Sequence, residues 1–173
     1  MARFVMILCL LATVALAANT LTLALADGTK KSVTLKSFDE AGLTALQGGR
    51  ELQFAWVDLK PASAYAARKA LTSYDDGAAR LELAAFAVRL KLYPEGLEQL
   101  EIALALGGIG ETAFEKLSDE IVAEEIAHLS ASIDTLLMAG AAPAVSLAAI
   151  KRLKDRYPDH EVNRKYAPLP TAP

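Results

Sequence analysis

The two histidines of this chain are the natural starting point for any chemistry. His128 follows Glu124 by four residues and Glu125 by three, so imidazole and carboxylate groups share one flank of a predicted helix. Dinuclear metal sites in helical bundles use such Glu-x-x-His motifs in pairs, together with glutamates from other helices. No second motif of this kind occurs in the chain. We therefore predict a solvated helix flank here, with a metal or enzymatic site at these three residues as the alternative.

The other candidate groups are explained by helix electrostatics. His160 lies just past a predicted helix end, where a cation balances the helix dipole. The same dipole accounts for acidic residues near one helix start and basic residues near another helix end. The glycine run 107–110 lacks the lysine and the preceding strand of a phosphate-binding loop. We predict no catalytic residue, no bound cofactor and no metal. The acidic set is Glu95, Glu98 and Glu101, and the basic set is Lys151, Arg152, Lys154 and Arg156.

Residues 1–17 have the pattern of an export signal. Arg3 supplies the positive start, an uncharged apolar run follows, and Ala15 and Ala17 are small residues at the positions that signal peptidase inspects. The apolar run is shorter than the roughly 20 residues that a spanning helix needs. We expect a mature chain that begins at Ala18 and is exported, periplasmic or secreted, without stable membrane insertion.

Charge and cysteine content narrow the possible partners. Cys9 is the only cysteine and lies within the predicted signal, so the mature chain can form neither a disulfide nor a thiolate metal site. Removal of Arg3 with the signal leaves 17 basic against 21 acidic side chains, a net charge of −4. This mild acidity gives no reason to expect nucleic acid or anionic lipid as a partner.

The chain changes character near Pro61. Before it, apolar residues alternate with the period of half-buried strands, and Asp27-Gly28 and Gly48-Gly49 mark turns. After it, the period becomes helical. We predict an α+β protein, in which a small antiparallel β module of about four strands precedes a mainly helical region. The predicted segments are a signal peptide (1–17), the β module (18–60), the helical region (61–166) and a disordered proline-rich tail (167–173).

Prolines, glycines and aspartates divide the helical region. Pro94 and Pro143 suit helix starts, and Asp76 is a candidate N-cap. The apolar stripe over 114–136 fits either one long helix or two helices joined near Ser118. The inner face of the last helix is expected to consist of five residues: Val145, Leu147, Ile150, Leu153 and Tyr157.

Trp56 ends the most regular strand, immediately before the helical region. As the only tryptophan, it is expected to be buried between the β module and the helices that follow.

The helical hairpins resemble tetratricopeptide repeats. In the first hairpin Ala84, Gly96 and Ala103 fall where the two helices of such a repeat cross, with larger residues between them. The second hairpin, which ends at Tyr157-Pro158-Asp159, resembles the back half of another repeat, with Asp134 and Ser146 where small apolar residues are usual. This resemblance implies a surface that binds a protein or peptide.

The β segment is similar in layout to small Sm-like or SH3-like barrels. The likeness comprises the turn Asp27-Gly28, the corner Phe38-Asp39 and a strand running into 56–59. Sm-like RNA sites present an asparagine after the corner and an arginine-glycine pair. Here the corner continues as Glu40-Ala41-Gly42, and Arg50 does not precede a glycine, so the resemblance does not imply RNA binding.

Together these features predict a non-catalytic exported interaction or scaffold protein of the cell envelope. Its helical hairpins would bind a protein or peptide partner. The alternative is a small metal-binding or enzymatic helical protein that uses Glu124, Glu125 and His128.

Overall fold

Residues 19–166 are described in a computed structural model, and they divide into two units at Leu71. The first unit holds an antiparallel sheet and one helix, and the second unit is helical, which confirms the predicted α+β class. The sequence placed its boundary at the change of secondary structure after residue 60, whereas the first unit also includes the next helix. The predicted signal peptide and proline-rich tail lie outside the described residues.

Alternating apolar residues build the sheet of the first unit. Gly28 and Gly48 adopt the positive φ angles of 90° and 55° that tight connections between neighbouring strands require. Strands pair in the order β1-β2-β3-β4, each antiparallel to the next. The strands are β1 (Thr20–Ala24), β2 (Lys30–Phe38), β3 (Gly42–Gln47) and β4 (Arg50–Ala55).

The chain after β4 returns to the free edge of β1. A short 3₁₀ helix, Trp56–Asp58, is followed by an antiparallel bridge between Leu59 and Leu25. Ala26 N donates to Asp58 O at 2.8 Å, and Lys60 N donates to Ala24 O at 2.9 Å. These bonds cover one end of the β1 edge, which would otherwise offer unpaired backbone groups. Helix α1 (Pro61–Leu71) then packs on β1 and β2.

The corner between β2 and β3 holds the tryptophan. Trp56 is buried, as expected, and its Nε1 donates to Asp39 O at 3.0 Å. Its ring centroid lies 6.4 Å from that of Phe38. Gly42 follows this corner, and a Cβ at that position would collide with the carbonyl oxygen of Phe54. Two contacts therefore hold Trp56 at the corner of its own sheet.

Helix boundaries in the second unit follow local chemistry. Asp76 is the N-cap of the first of these helices, as predicted: its Oδ1 accepts from Ala79 N at 3.0 Å. Pro94 and Pro143 occupy first-turn positions. The helices are α2 (Gly77–Arg89), α3 (Tyr93–Ala105), α4 (Glu111–Met138), α5 (Pro143–Arg156) and the short α6 (Val162–Lys165).

The structure answers two questions that the sequence left, namely whether α4 is continuous and which face of α5 is buried. The 28 residues of α4 contain neither glycine nor proline, and they form one continuous helix without a break at Ser118. In α5, Ile150 and Leu153 are buried as expected, but Val145 is 51% exposed and Leu147 is 37% exposed. The helix instead buries Ser146, because that residue shares one face with Ile150 and Leu153.

Candidate functional site

Small residues let α2 and α3 approach closely. Ala84 on α2 is 2% exposed. A Cβ added at Gly96 on α3 would lie 3.5 Å from Ala84 O and 2.8 Å from Val88 Cγ2. The backbones therefore meet where the sequence placed two of its small residues, and a larger side chain at either position would separate the helices.

Helix α4 packs against this hairpin and leaves an apolar groove. Tyr93 and Leu100 from α3 form a buried cluster with Ala84 and Ile121, so α2, α3 and α4 share one small core. Beside that core lies a partly open cavity of about 370 Å³. Its lining consists of seven apolar residues and two glutamates, namely Leu81, Ala84, Ala85, Val88, Leu100, Leu117, Ile121, Glu120 and Glu124.

Two glutamates, each with a lysine nearby, lie at one edge of the groove. Glu124 accepts a hydrogen bond from Lys91 Nζ at 2.7 Å and a longer one from Tyr93 Oη at 3.4 Å. The bond from the Lys91 ammonium lowers the pKa of Glu124 from its usual value. Glu120 lies one turn earlier on α4, with Lys116 Nζ at 3.8 Å. Because its pKa is lowered, Glu124 is ionised at neutral pH.

Glu125 has a separate environment from Glu124. Its carboxylate is buried and forms an ion pair with Arg156 Nε at 2.6 Å. Tyr157 Oη donates to the second carboxylate oxygen at 2.5 Å. Burial, followed by this bond to the carboxylate, raises the pKa of Tyr157. Glu125 thus joins α4 to the end of α5.

His128 is exposed, with its ring centroid 5.9 Å from that of Tyr93. Glu124 and Glu125 face different partners, because adjacent helical residues point about 100° apart. Among residues 19–166, no group of three histidine, cysteine or acidic side chains is placed to hold a metal ion. The structure therefore does not bring the three residues of the metal alternative to one point.

The remaining sequence candidates lie apart from the groove. His160 is exposed, and its Nδ1 accepts from Val162 N at 3.2 Å. Lys151 and Arg152 are exposed on α5, and Glu98 and Glu101 are exposed on α3.

The glycine run 107–110 has a packing role. Gly107 follows the end of α3 with φ of 72°. A Cβ at Gly77 would lie 2.6 Å from Gly108 N, so the turn after α3 sits directly on the start of α2. Gly77, Gly107 and Gly108 therefore allow the turn after α3 to pack against the start of α2.

Sequence analysis missed Arg80, which is 2% exposed. Its Nη1 donates to Oε1 of the buried Gln99 at 2.9 Å, and its guanidinium lies 4.8 Å from the ring centroid of Tyr74. The bond to Gln99 links α2 to α3. A signal was available, because Arg80 precedes the apolar residues Leu83 and Ala84 by three and four positions, on the buried face of α2.

No protein-family model matches this chain, and no curated protein or solved structure matches it either. Within residues 19–166, none of the helices combines the length and apolar character needed to cross a bilayer.

Proposed function

We propose that this chain is a non-catalytic interaction protein of the cell envelope, and that its helical unit binds a segment of a protein partner. The observation that carries the proposal is the apolar groove between α2, α3 and α4, with Glu120 and Glu124 at its edge. The envelope location follows from the export pattern of residues 1–17.

Shape and charge indicate the kind of segment that would bind. A cavity of about 370 Å³ accommodates one or two apolar side chains. Glu124 at its edge is ionised and paired with the exposed Lys91, which a lysine or arginine of the peptide can replace. We therefore expect a helical or extended peptide that presents leucine-sized side chains next to a cation.

The composition of the groove supports binding rather than chemistry. Its lining offers no hydroxyl, thiol or imidazole group. The two carboxylates in the lining are the groups that could act as acid, base or nucleophile, and each has a lysine beside it, at 2.7 Å for Glu124 and 3.8 Å for Glu120. The metal-binding alternative has no specific observation in its favour, since Glu125 is engaged by Arg156 and Tyr157.

A phage-displayed random peptide library provides a test. It is selected on the chain from Ala18 onward, which contains every described element, and the enriched peptides are then measured by fluorescence anisotropy. Ala85 is exposed and lines the groove, so Ala85→Trp should fill the cavity without crowding the core. We expect this variant to weaken binding at least tenfold (about 1.4 kcal/mol). Ala105→Trp, at an exposed position outside the groove, is the matched control.

The edge charges give a second readout. Glu120→Gln combined with Glu124→Gln should reduce both the affinity for cationic peptides and its dependence on salt. The proposal fails if no peptide is enriched, or if enriched peptides bind Ala85→Trp as tightly as the unchanged protein.

A further inference from the structure

The connection between α4 and α5 forms an exposed apolar tip. Residues 135–150 contain no charged side chain. At this connection Met138 is 82% exposed, Val145 51%, Leu137 38% and Leu147 37%. Isolated exposed apolar residues are ordinary, but four of them within one helix-to-helix connection are typical of a contact surface. The part of α5 that sequence analysis expected to be buried is therefore available to something else.

The turn at this tip is built without polar side chains. Gly140, with φ of 63°, ends α4, and Ala141 N donates to Leu136 O at 3.0 Å. Ala142 precedes α5 and makes no side-chain cap, although serine, threonine or aspartate is usual at that position. Val145 N donates instead to Ala142 O at 2.9 Å, and Pro143 has no N–H, so backbone bonds and apolar side chains lower the cost of removing the tip from water.

Two exposed basic residues follow the apolar tip along α5. Lys151 and Arg152 are exposed on α5, four and five residues after Leu147. At a rise of about 1.5 Å per residue, Lys151 lies roughly 6 Å further along the helix. On α4 the nearest acidic residue, Asp134, is paired with Lys165 Nζ at 2.6 Å, and on α5 the exposed Asp155 lies one turn beyond Lys151, further from the tip. The tip therefore presents apolar residues first and positive charge behind them.

This order of groups matches an anionic lipid surface. Interfacial helices bury their apolar residues about 5–10 Å deep, and their cations remain at the level of the headgroups. The tip is the turn of a helical hairpin, a shape that a planar lipid surface can accept. We propose that the α4–α5 tip docks onto anionic lipid, with Met138 and Val145 in the interface and with Lys151 and Arg152 at the phosphates. The net charge of the whole chain gives no such attraction, so docking depends on this local group and weakens with salt.

A dye at the tip tests this contact directly. The chain from Ala18 onward contains no cysteine, so Met138→Cys provides a unique site for a solvent-sensitive nitrobenzoxadiazole dye. Residues 1–17 must be absent, because their apolar run would itself bind lipid. Phosphatidylcholine vesicles containing phosphatidylglycerol should shift the emission to shorter wavelength, with a smaller effect from phosphatidylcholine alone. Val57→Cys, at a position 85% exposed in the first unit, should show no shift.

Co-sedimentation of unlabelled protein with the same vesicles gives an independent measurement. Met138→Glu should reduce the bound fraction at least about tenfold, because it removes an apolar group and adds a charge that lipid repels. Lys151→Gln with Arg152→Gln should reduce binding to phosphatidylglycerol roughly fivefold for each cation removed.

Two results would overturn the proposal. One is vesicle binding that is absent, or that is unchanged in Met138→Glu when thermal melting shows that this variant is folded. The other is a dimer, detected by light scattering, that Met138→Glu converts to a monomer without any vesicle binding, since a second copy would then cover the tip.

Discussion

Glu125 and Arg156 differ in their access to water. The side chain of Glu125 is 6% exposed, whereas that of Arg156 is 34% exposed. Loss of the arginine leaves a buried carboxylate with Tyr157 as its remaining described donor. Loss of the carboxylate leaves a guanidinium that water can reach. The two partners of one ion pair should therefore respond unequally to mutation.

We expect Arg156→Met to lower the free energy of unfolding by about 3 kcal/mol. Glu125→Gln should cost about 1 kcal/mol, because the amide oxygen can still accept from Tyr157. Urea titration of both variants measures the difference. Equal costs, or a larger cost for Glu125→Gln, would contradict this account of the pair.

Trp56 lies in the core of the first unit and is hydrogen-bonded at Nε1. Trp56→Ala should lower the free energy of unfolding by about 3–5 kcal/mol, as is typical when a large aromatic side chain is removed from a core. The adjacent Val57→Ala is the control and should change it by less than about 0.5 kcal/mol, since Val57 is 85% exposed. Fluorescence gives a further check: native emission should be blue-shifted relative to the unfolded chain, and water-like native emission would argue against burial.

At the scale of elements, the α2–α3 crossing depends on two small side chains. Ala84→Leu should overpack the contact near Gly96 and lower the free energy of unfolding by about 1–3 kcal/mol. Ala85→Leu, at the exposed neighbouring position, should change it by less than about 0.5 kcal/mol. Thermal or urea unfolding distinguishes the two variants. A neutral result for Ala84→Leu would remove the close crossing as a source of stability.

The rotation of helix α5 about its own axis could not be predicted from its hydrophobic periodicity. Its apolar residues permit more than one inward face, and the expected one included Val145 and Leu147. The observed face instead combines Ser146 with Ile150 and Leu153, and the last two pack on Ile133 of α4. A partner distant in sequence thus selects the rotation of this helix, and that selection leaves the apolar tip exposed.

For the whole molecule, removal of the export signal is the clearest expectation. Cleavage after Ala17 should leave a chain that begins at Ala18, because Ala15 and Ala17 are small residues at the required distance from the apolar run. Intact mass spectrometry of protein recovered from an expressing bacterium measures this. A product that retains Met1, or that carries acyl chains on Cys9, would be inconsistent with the expectation.

The sequence alone was sufficient for the order and approximate limits of the strands and main helices. Gly28, Asp76 and Pro143 act through their own backbone geometry or through bonds to residues a few positions away. Such signals are local and can be read without knowing the fold. The close pairing of Ala84 with Gly96 was also accessible, since both residues belong to one hairpin.

Tertiary structure decided the features that depend on distant partners. These are the return of Leu59 to β1, the burial of Arg80 beside Gln99, the separation of Glu124 from Glu125, and the groove. Each depends on which face of an element meets a neighbour many residues away. Periodicity specifies that a helix has an apolar face, but its rotation is set by the surface it packs against. For that reason the sequence predicted the elements of this protein, and the packing of those elements created its candidate surfaces.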